Sequence, residues 1–371
     1  MPILLQYLLV IGTFQGFLLS ALLLFSSNIS YASRILGIWC SLLAIGLLSV
    51  LVAQNEDLGF YSMLLGATGF LPASYGALLY LYCRHSLLDD GFRAKDLLHF
   101  IPFTLCYLLN IDLLLSPDLL EQLYVQGIEP TSVRFTLGRI ILFGQAYAYL
   151  GYTAYYLFRC QQQAQNNYAS FNPDIFDWLW IVQGFNLIIW SSKAATLVVS
   201  DSFALLIGGD ILIVVLIYGI GMAQWRNPQL FKITVPAQES SIAAGGDTPT
   251  KVAGALDEGT RQALLDTVIQ YMKNQQAFLN NDLSLRGLSE AVDISTHNLS
   301  EVLNQNGGQN FYNFVNNFRI EFVCEQLKSD SDVRLLDLGL KAGFSSKSTF
   351  NSVFKKHTGL TPSQYRNRNM R

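Results

Sequence analysis

The sequence predicts an all-α protein in two parts, a seven-transmembrane helix bundle followed by a tandem helix-turn-helix domain. Charged residues make up only 14% of the chain, against about a quarter in a typical soluble protein. The deficit is concentrated in residues 1–226, which hold nine Lys/Arg and 13 Asp/Glu. Residues 256–371 hold 13 Lys/Arg and 12 Asp/Glu in half the length, with apolar residues at helical spacing. The chain therefore divides into an apolar domain and a domain of soluble type.

A transmembrane helix needs about 20 mostly apolar residues, and the apolar domain contains seven such stretches. The first is longer than the apolar region of a signal peptide and follows no basic residue, so we expect it to remain as a span. The predicted spans are roughly 4–25, 35–53, 62–83, 97–115, 135–158, 176–199 and 203–225.

The orientation follows from the basic residues, because Lys and Arg mark the cytoplasmic loops of membrane proteins. The segments after spans one, three, five and seven carry such residues, whereas the loops 54–61, 116–132 and 200–202 carry none. We therefore expect the N-terminus outside and the C-terminus in the cytoplasm. The marking residues are Arg34, Arg84, Arg93, Lys95, Arg159, Arg226 and Lys232.

Four ionisable residues fall inside the predicted spans: Asp112, Arg139, Lys193 and Asp210. Charges within a membrane are costly and are often functional. In the predicted orientation all four lie in the outer half, where two opposite-charge pairs could line a pocket for an extracytoplasmic ligand. The alternative is that each snorkels to a membrane surface or forms a structural pair.

Residues 227–255 are expected to form a flexible linker, because they are small, polar and rich in Pro and Gly. Such a linker would let the C-terminal domain move away from the membrane. A protease site that frees the domain is the other possibility, and the residues do not decide between the two.

The domain of soluble type begins with a helix predicted over residues 258–275, followed by a first helix-turn-helix unit. Ser284 and Ser295 are predicted to cap its two helices. The inward residues are Leu285, Leu288, Ala291, Val292, Leu299, Val302 and Leu303. The outer face of the second helix, which would lie in a DNA major groove, carries Thr296, His297, Ser300, Glu301 and Asn304.

Residues 310–327 predict a connecting helix, and a second helix-turn-helix unit follows it. Its predicted core is Leu335, Leu338, Leu340, Phe344, Phe350, Val353 and Phe354. Ser345 is predicted to cap the last of these helices, leaving Ser346, Lys347, Asn351, Ser352 and Lys355 outward. Residues 341–371 carry seven Lys/Arg and no acidic residue, a charge that attracts phosphate backbones.

Residues 283–366 resemble the DNA-binding domain of the AraC/XylS family of bacterial transcription regulators. The strongest motif elements are Gly343-Phe344-x-Ser346-x-Ser348-x-Phe350, Phe354-Lys355-Lys356 and Gly359-x-Thr361-Pro362-x-x-Tyr365-Arg366. Leu299-Ser300, the run Phe311 to Phe314 and Phe318-Arg319-Ile320 extend the likeness into the first unit and the connector. The resemblance covers under a quarter of the chain, so the predicted fold of the apolar domain rests on hydropathy alone.

The resemblance implies a bipartite helix-turn-helix fold, promoter binding and, usually, activation through RNA polymerase. It adds Lys356 and Arg366 to the expected DNA contacts, together with Arg319, whose position in this family is usually structural or phosphate-contacting. Family operators are often direct repeats, so a homodimer in the inner membrane is plausible. The first recognition helix carries Glu301 and no basic residue, so we expect the second unit to supply most of the affinity.

Three functional classes compete. The leading one is a membrane-anchored transcription regulator whose bundle senses an external ligand or a membrane state. The alternative is a transporter or channel with a regulatory DNA-binding tail, although repeat symmetry and broken helices are not recognisable. An enzyme is not expected, because the chain lacks HExxH, GxSxG, Walker A and kinase motifs.

The five cysteines are scattered without metal-ligand spacing, so no metal or cofactor is expected.

Overall fold

The computed structural model describes residues 2–25, 30–53, 68–87, 91–124, 131–171, 173–197, 199, 203–226, 257–329 and 333–369. These residues divide into two compact units, 1–157 with 178–238 and 158–177 with 239–371. Throughout the described ranges the regular elements are helices, with one isolated β-bridge, so the all-α prediction is confirmed. The predicted linker 227–255 lies outside the described residues.

Nine α-helices begin in the described part of the first unit or cross its boundaries, and two 3-10 helices, Leu71–Ser74 and Ala94–Phe100, accompany them. The α-helices are α1 (Ile3–Phe25), α2 (Tyr31–Val52), α3 (Tyr75–Leu87), α4 (Ile101–Leu109), α5 (Ile111–Leu115), α6 (Pro117–Tyr124), α7 (Val133–Asn167), α8 (Pro173–Ala195) and α9 (Phe203–Arg226).

The first unit is organised around α1 and α2, which pack on each other, α1 also packing on α9 and α2 on α3. Trp39 of α2 is fully buried. A Cβ on Gly12 would lie 2.5 Å from Cγ2 of Val214, so the missing side chain allows α1 to approach α9 closely. The Tyr75 hydroxyl donates to the Leu42 carbonyl oxygen at 3.1 Å, which fastens α3 to α2.

The prediction of seven transmembrane spans is not confirmed. Within the described residues, three helices are long and apolar enough to cross a membrane: Ile3–Phe25, Tyr31–Val52 and Ile207–Trp225. They correspond to the first, second and seventh predicted spans. Part of the third predicted span, residues 62–67, lies outside the described residues.

Three further predicted spans are not among these helices, for two reasons. The stretch 97–115 is divided among a 3-10 helix, α4 and α5, with a break at Asn110. Helices α7 and α8 are long enough but not apolar enough. In α7 the phenol hydroxyls of five tyrosines lower the hydropathy of the helix. They belong to Tyr147, Tyr149, Tyr152, Tyr155 and Tyr156.

The four charged residues predicted to line a pocket form pairs, but not all as expected. Lys193 and Asp210 are joined by an ion pair of 2.7 Å, with the Asp210 side chain only 9% exposed. Asp112 instead pairs with Arg134, and both side chains are largely exposed. The Arg139 guanidinium lies 5.7 Å from the centre of the Phe135 ring. A ligand role for the four residues stays a prediction.

The second unit contains α10 (Glu258–Gln275), a 3-10 helix (Ala277–Leu279), α11 (Leu285–Val292), α12 (Thr296–Gln305), α13 (Phe311–Ser329), α14 (Leu335–Lys341), α15 (Lys347–Thr358) and α16 (Pro362–Asn369). The order reproduces the predicted tandem arrangement: α11 and α12 form the first helix-turn-helix, α13 is the connector, and α14 and α15 form the second.

The connector α13 contributes to two hydrophobic cores. Phe311, Phe314 and Val315 pack with the first helix-turn-helix and α10. Ile320 and Val323 pack with the second. At 1.5 Å per residue, its 19 residues extend about 28 Å, so one continuous helix holds both helix-turn-helix units.

Gly343 closes the turn between α14 and α15 in a conformation that excludes other residues. Its φ is +90°, and a Cβ there would lie 2.8 Å from the carbonyl oxygens of Phe278 and Leu279. Both the left-handed backbone and the backbone contact oppose a side chain.

We expect Gly343→Ala to destabilise the second helix-turn-helix by about 3 kcal/mol, since left-handed strain and displacement of a backbone segment add together. Hydrogen exchange of peptides from α14 and α15 in the full chain measures this change directly. Tryptophan fluorescence would not, because all five tryptophans, at 39, 178, 180, 190 and 225, lie in the first unit.

Gly359→Ala is the matched control. Its φ is +73°, but a Cβ there meets nothing within 4 Å, so only the left-handed strain of about 1 kcal/mol remains. Equal losses of protection in the two variants would show that the contact with Phe278 and Leu279 contributes nothing.

Candidate nucleic-acid interface

The first helix-turn-helix is capped as predicted. The Ser284 side chain accepts from the Gly287 amide at 3.1 Å, and Ser295 accepts from the Asn298 amide at 3.2 Å. Asp293 takes a left-handed conformation in the turn between them. The predicted core is correct except for Ala291, which is exposed.

The outer face of α12 presents Thr296, His297 and Asn304 to solvent, while Ser300 is half-buried. The Asn304 amide nitrogen donates to the Ser300 carbonyl oxygen at 2.9 Å. Glu301 departs from the prediction: its side chain is 15% exposed and pairs with Arg261 of α10 at 3.3 Å. It therefore ties α12 to α10 and does not extend from the outer face.

The second helix-turn-helix is capped one residue later than predicted. Ser346, not Ser345, is the N-cap of α15 and accepts from the Thr349 amide at 3.1 Å. Ser346 was expected to face DNA, and capping occupies part of its hydrogen-bonding capacity. Leu340, predicted to be in the core, is 51% exposed.

The outer face of α15 is basic. Lys347, Ser352, Lys355 and Lys356 are exposed, and Asn351 is half-buried. None of these lysines forms an ion pair within the described residues. On α16, Arg366 is half-buried. The positive charges of this face are therefore available to an anionic partner.

Arg319, expected among the DNA contacts, is fully buried. Its Nε donates to the Phe278 carbonyl oxygen at 2.7 Å, and its Nη2 donates to the Asn280 carbonyl oxygen at 2.8 Å. The guanidinium also lies 5.6 Å from the centre of the Phe344 ring. This placement corresponds to the structural role that the resemblance allowed and leaves Arg319 outside the set of candidate phosphate contacts.

The remaining donors of Arg319 reach a segment that sequence reasoning assigned to the apolar domain. Nη1 donates to the Ala169 carbonyl oxygen at 3.1 Å and to the Ser170 hydroxyl at 2.9 Å. Burial lowers the pKa of Arg319 to about 10, an effect that Tyr312 opposes. The guanidinium thus remains charged at neutral pH, and neutral oxygen acceptors satisfy it.

We name residues Gln165 to Phe171, together with Pro173 and Asp174, the 165–174 segment. It belongs to the compact unit of the helix-turn-helix domain, although the sequence predicted it as a loop between two spans. Hydropathy and turn signals describe local structure only, so they carried no indication of its tertiary contacts.

Comparison with known proteins supports the C-terminal assignment. A family model described as a helix-turn-helix domain matches residues 288–368. An uncharacterized helix-turn-helix-type transcriptional regulator of Staphylococcus aureus (strain COL) is 38% identical over 101 residues, 27% of this chain and 13% of that protein. The uncharacterized transcriptional regulatory protein YesN of Bacillus subtilis (strain 168) is 33% identical over 89 residues, 24% of each chain.

Among solved structures, a transcriptional regulator from Chromobacterium violaceum with an AraC-type DNA-binding domain is 21% identical. The match covers 30% of this chain and 96% of that one, with a TM-score of 0.27. The matched residues span only 13% of the Staphylococcus aureus regulator and 24% of YesN. The C-terminal part of this chain carries a helix-turn-helix domain, which the family model places at residues 288–368.

We expect Arg319→Ala to destabilise the second unit by about 3–5 kcal/mol, because it leaves several buried carbonyl oxygens without donors. Arg319→Lys should recover little, since one ammonium group cannot reach the separate oxygens that Nε, Nη1 and Nη2 contact around the edges of the guanidinium. Hydrogen exchange of peptides from α13 measures both changes.

Arg286→Ala is the control, because the side chain of this arginine is 64% exposed and pairs with Glu290, which is also exposed and on the same helix α11. We expect a change below about 0.5 kcal/mol. An effect of Arg319→Ala as small as this control would contradict an anchoring role.

Proposed function

We propose that this protein is a membrane-anchored, sequence-specific DNA-binding transcription regulator. The observation that carries the proposal is the basic outer face of α15, which presents Lys347, Lys355 and Lys356 within an AraC-type domain. Residues 341–371 contain no acidic side chain to neutralise these charges. Phosphate attraction of this kind supplies much of the affinity of DNA-binding proteins.

The two recognition helices have unequal roles in this proposal. In α15, the lysines and Arg366 hold phosphates or bases, while Ser346, Asn351 and Ser352 read base edges. In α12, which contains no Lys or Arg, Thr296, His297, Ser300 and Asn304 read bases. The connector of about 28 Å is close to the ~34 Å of one DNA turn, so the helices would enter successive major grooves on one face of the duplex.

The N-terminal unit serves as the anchor and the sensor. Its three apolar helices are compatible with membrane insertion, and the C-terminal domain requires access to promoter DNA and RNA polymerase in the cytoplasm. The ion pair between Lys193 and Asp210 is mostly shielded from solvent and is our candidate for the element that responds to an extracytoplasmic ligand. A homodimer would pair two DNA-binding domains on repeated half-sites.

We expect the double change Lys347→Ala with Lys355→Ala to weaken binding at least about 30-fold at physiological salt, because two charge-assisted contacts are lost. The slope of log affinity against log salt should become shallower by about 1.8. The measurement is a salt titration of the full chain in detergent micelles, with an operator selected from random-sequence duplexes.

Lys273→Ala with Lys328→Ala removes the same charge from exposed positions outside the recognition helices, and it should weaken binding less than about threefold. An equal loss in this control would mean that general charge, and not α15, holds the DNA.

The proposed orientation has its own test in a cysteine-free background. A membrane-impermeant thiol reagent should label Glu56→Cys in intact cells, because the basic-residue rule places residues 54–61 outside. It should leave Ser240→Cys unlabelled until the cells are opened. The reverse pattern would contradict a cytoplasmic DNA-binding domain.

A further inference from the structure

The 165–174 segment contacts all three parts of the DNA-binding unit. It is anchored on the connector, where Arg319 Nη1 donates to the Ala169 carbonyl oxygen at 3.1 Å. The Asn316 amide nitrogen donates to the same oxygen at 3.4 Å. Arg319 and Asn316 are both buried, and Ala169 is fully buried between them and the first core. Because Ala169 and its partners are buried, the segment is part of the core of this unit and does not merely lie on its surface.

The segment also pairs with the start of the first helix-turn-helix. The Ala169 amide donates to the Leu283 carbonyl oxygen at 3.1 Å, and Tyr168 forms an isolated β-bridge with Ser284, the cap of α11. On the connector, the ring of Phe171 lies 4.5 Å from that of Tyr312. The backbone pairing fixes the register of Tyr168 and Ala169 against residues 283 and 284, and the aromatic contact holds Phe171 against the connector.

Beyond Phe171, the segment reaches the second recognition helix. The Ser348 hydroxyl donates to the Asp174 carboxylate. Ser348 is the second residue of α15 and lies beside Lys347. In helix-turn-helix proteins the N-terminal residues of the recognition helix contact base edges. The segment therefore places a negative charge at the end of α15 that must approach DNA.

We propose that the 165–174 segment is a built-in brake on DNA binding, in which Asp174 occupies the N-terminal end of the second recognition helix. Phosphates approaching this end meet a carboxylate, and Ser348 is engaged before DNA arrives. Binding of DNA and docking of Asp174 are then antagonistic, and each weakens the other by the same factor. This inference rests on the proposed DNA-binding function.

Chain continuity gives the brake a route of control. Helix α7 ends at Asn167 and α8 begins at Pro173, so the docked residues are held between two helices that also carry residues of the N-terminal unit. A displacement of α7 relative to α8 pulls on the segment from both ends. The contact between Asp174, at the second position of α8, and Ser348 is released before that of Ala169, because Ala169 is held by the buried side chains of Arg319 and Asn316.

The test measures the affinity of the full chain in detergent micelles for a mixed-sequence duplex. Asp174→Asn removes the charge and keeps an oxygen acceptor for Ser348, and Asp174→Ala removes both. We expect each to tighten DNA binding about fivefold, since a like charge near the phosphates is lost. Unchanged affinity in both variants would overturn the brake.

Asp177→Asn is the matched control, because it removes the same charge one helical turn further along α8. It should change the DNA affinity less than twofold, and an increase in affinity equal to that of Asp174→Asn would contradict the proposal. In a Ser348→Ala background the gain from Asp174→Ala should also shrink, because the tether is already absent. An undiminished gain there would show that Asp174 does not act through α15.

The same titrations separate this inference from the function it rests on. Failure of the wild-type chain and of every variant to bind DNA would overturn the proposed function itself. Binding that depends on Lys347 and Lys355 but not on Asp174 would leave the regulator intact and remove only the brake.

Discussion

The second unit depends on one buried charge. The Arg319 guanidinium has no carboxylate partner among the described contacts and is held by carbonyl and hydroxyl oxygens from two separate stretches, 169–170 and 278–280. A buried cation is tolerated only if its donors are satisfied. The arginine therefore requires both stretches to be in place, and it stacks on Phe344 at the turn of the second helix-turn-helix. Through this one side chain, the positions of residues 169–170, residues 278–280 and the turn at Phe344 depend on one another.

The connector α13 gives the same unit its mechanical continuity. Because its two faces belong to two cores, neither helix-turn-helix can shift along it without exposing apolar surface. Such coupling suits a reader whose two helices must match the spacing of two grooves. Because Arg319 lies on α13, a displacement of Arg319 would also affect the packing of both helix-turn-helix units.

The local features of the second unit could be predicted from the sequence, because caps and helical periodicity act over a few residues. Ser284, Ser295 and the spacing of apolar residues in α13 were sufficient to place its helices. The cap of α15 was missed by one residue, since Ser345 and Ser346 are both competent and only tertiary packing chooses between them. The count of seven spans, which relied on composition alone, was not confirmed: Asn110 interrupts one apolar run, and the tyrosines of α7 lower the hydropathy of another. The partner of Asp112 and the docking of Ala169 depend on contacts between distant residues, which a single sequence does not encode in any local pattern.

The docking of Ala169 also has a consequence for the order in which the protein is made. Ala169 precedes Arg319 by 150 residues, so at typical elongation rates it leaves the ribosome about 10 s or more before its partner. By then the flanking helices α7 and α8, which also carry residues of the N-terminal unit, have been synthesised as well. The helix-turn-helix unit therefore completes its first core around a residue made much earlier than the rest of that core. The same unit produced without residues 165–174 would lack Ala169 in its first core and two of the oxygen acceptors of Arg319.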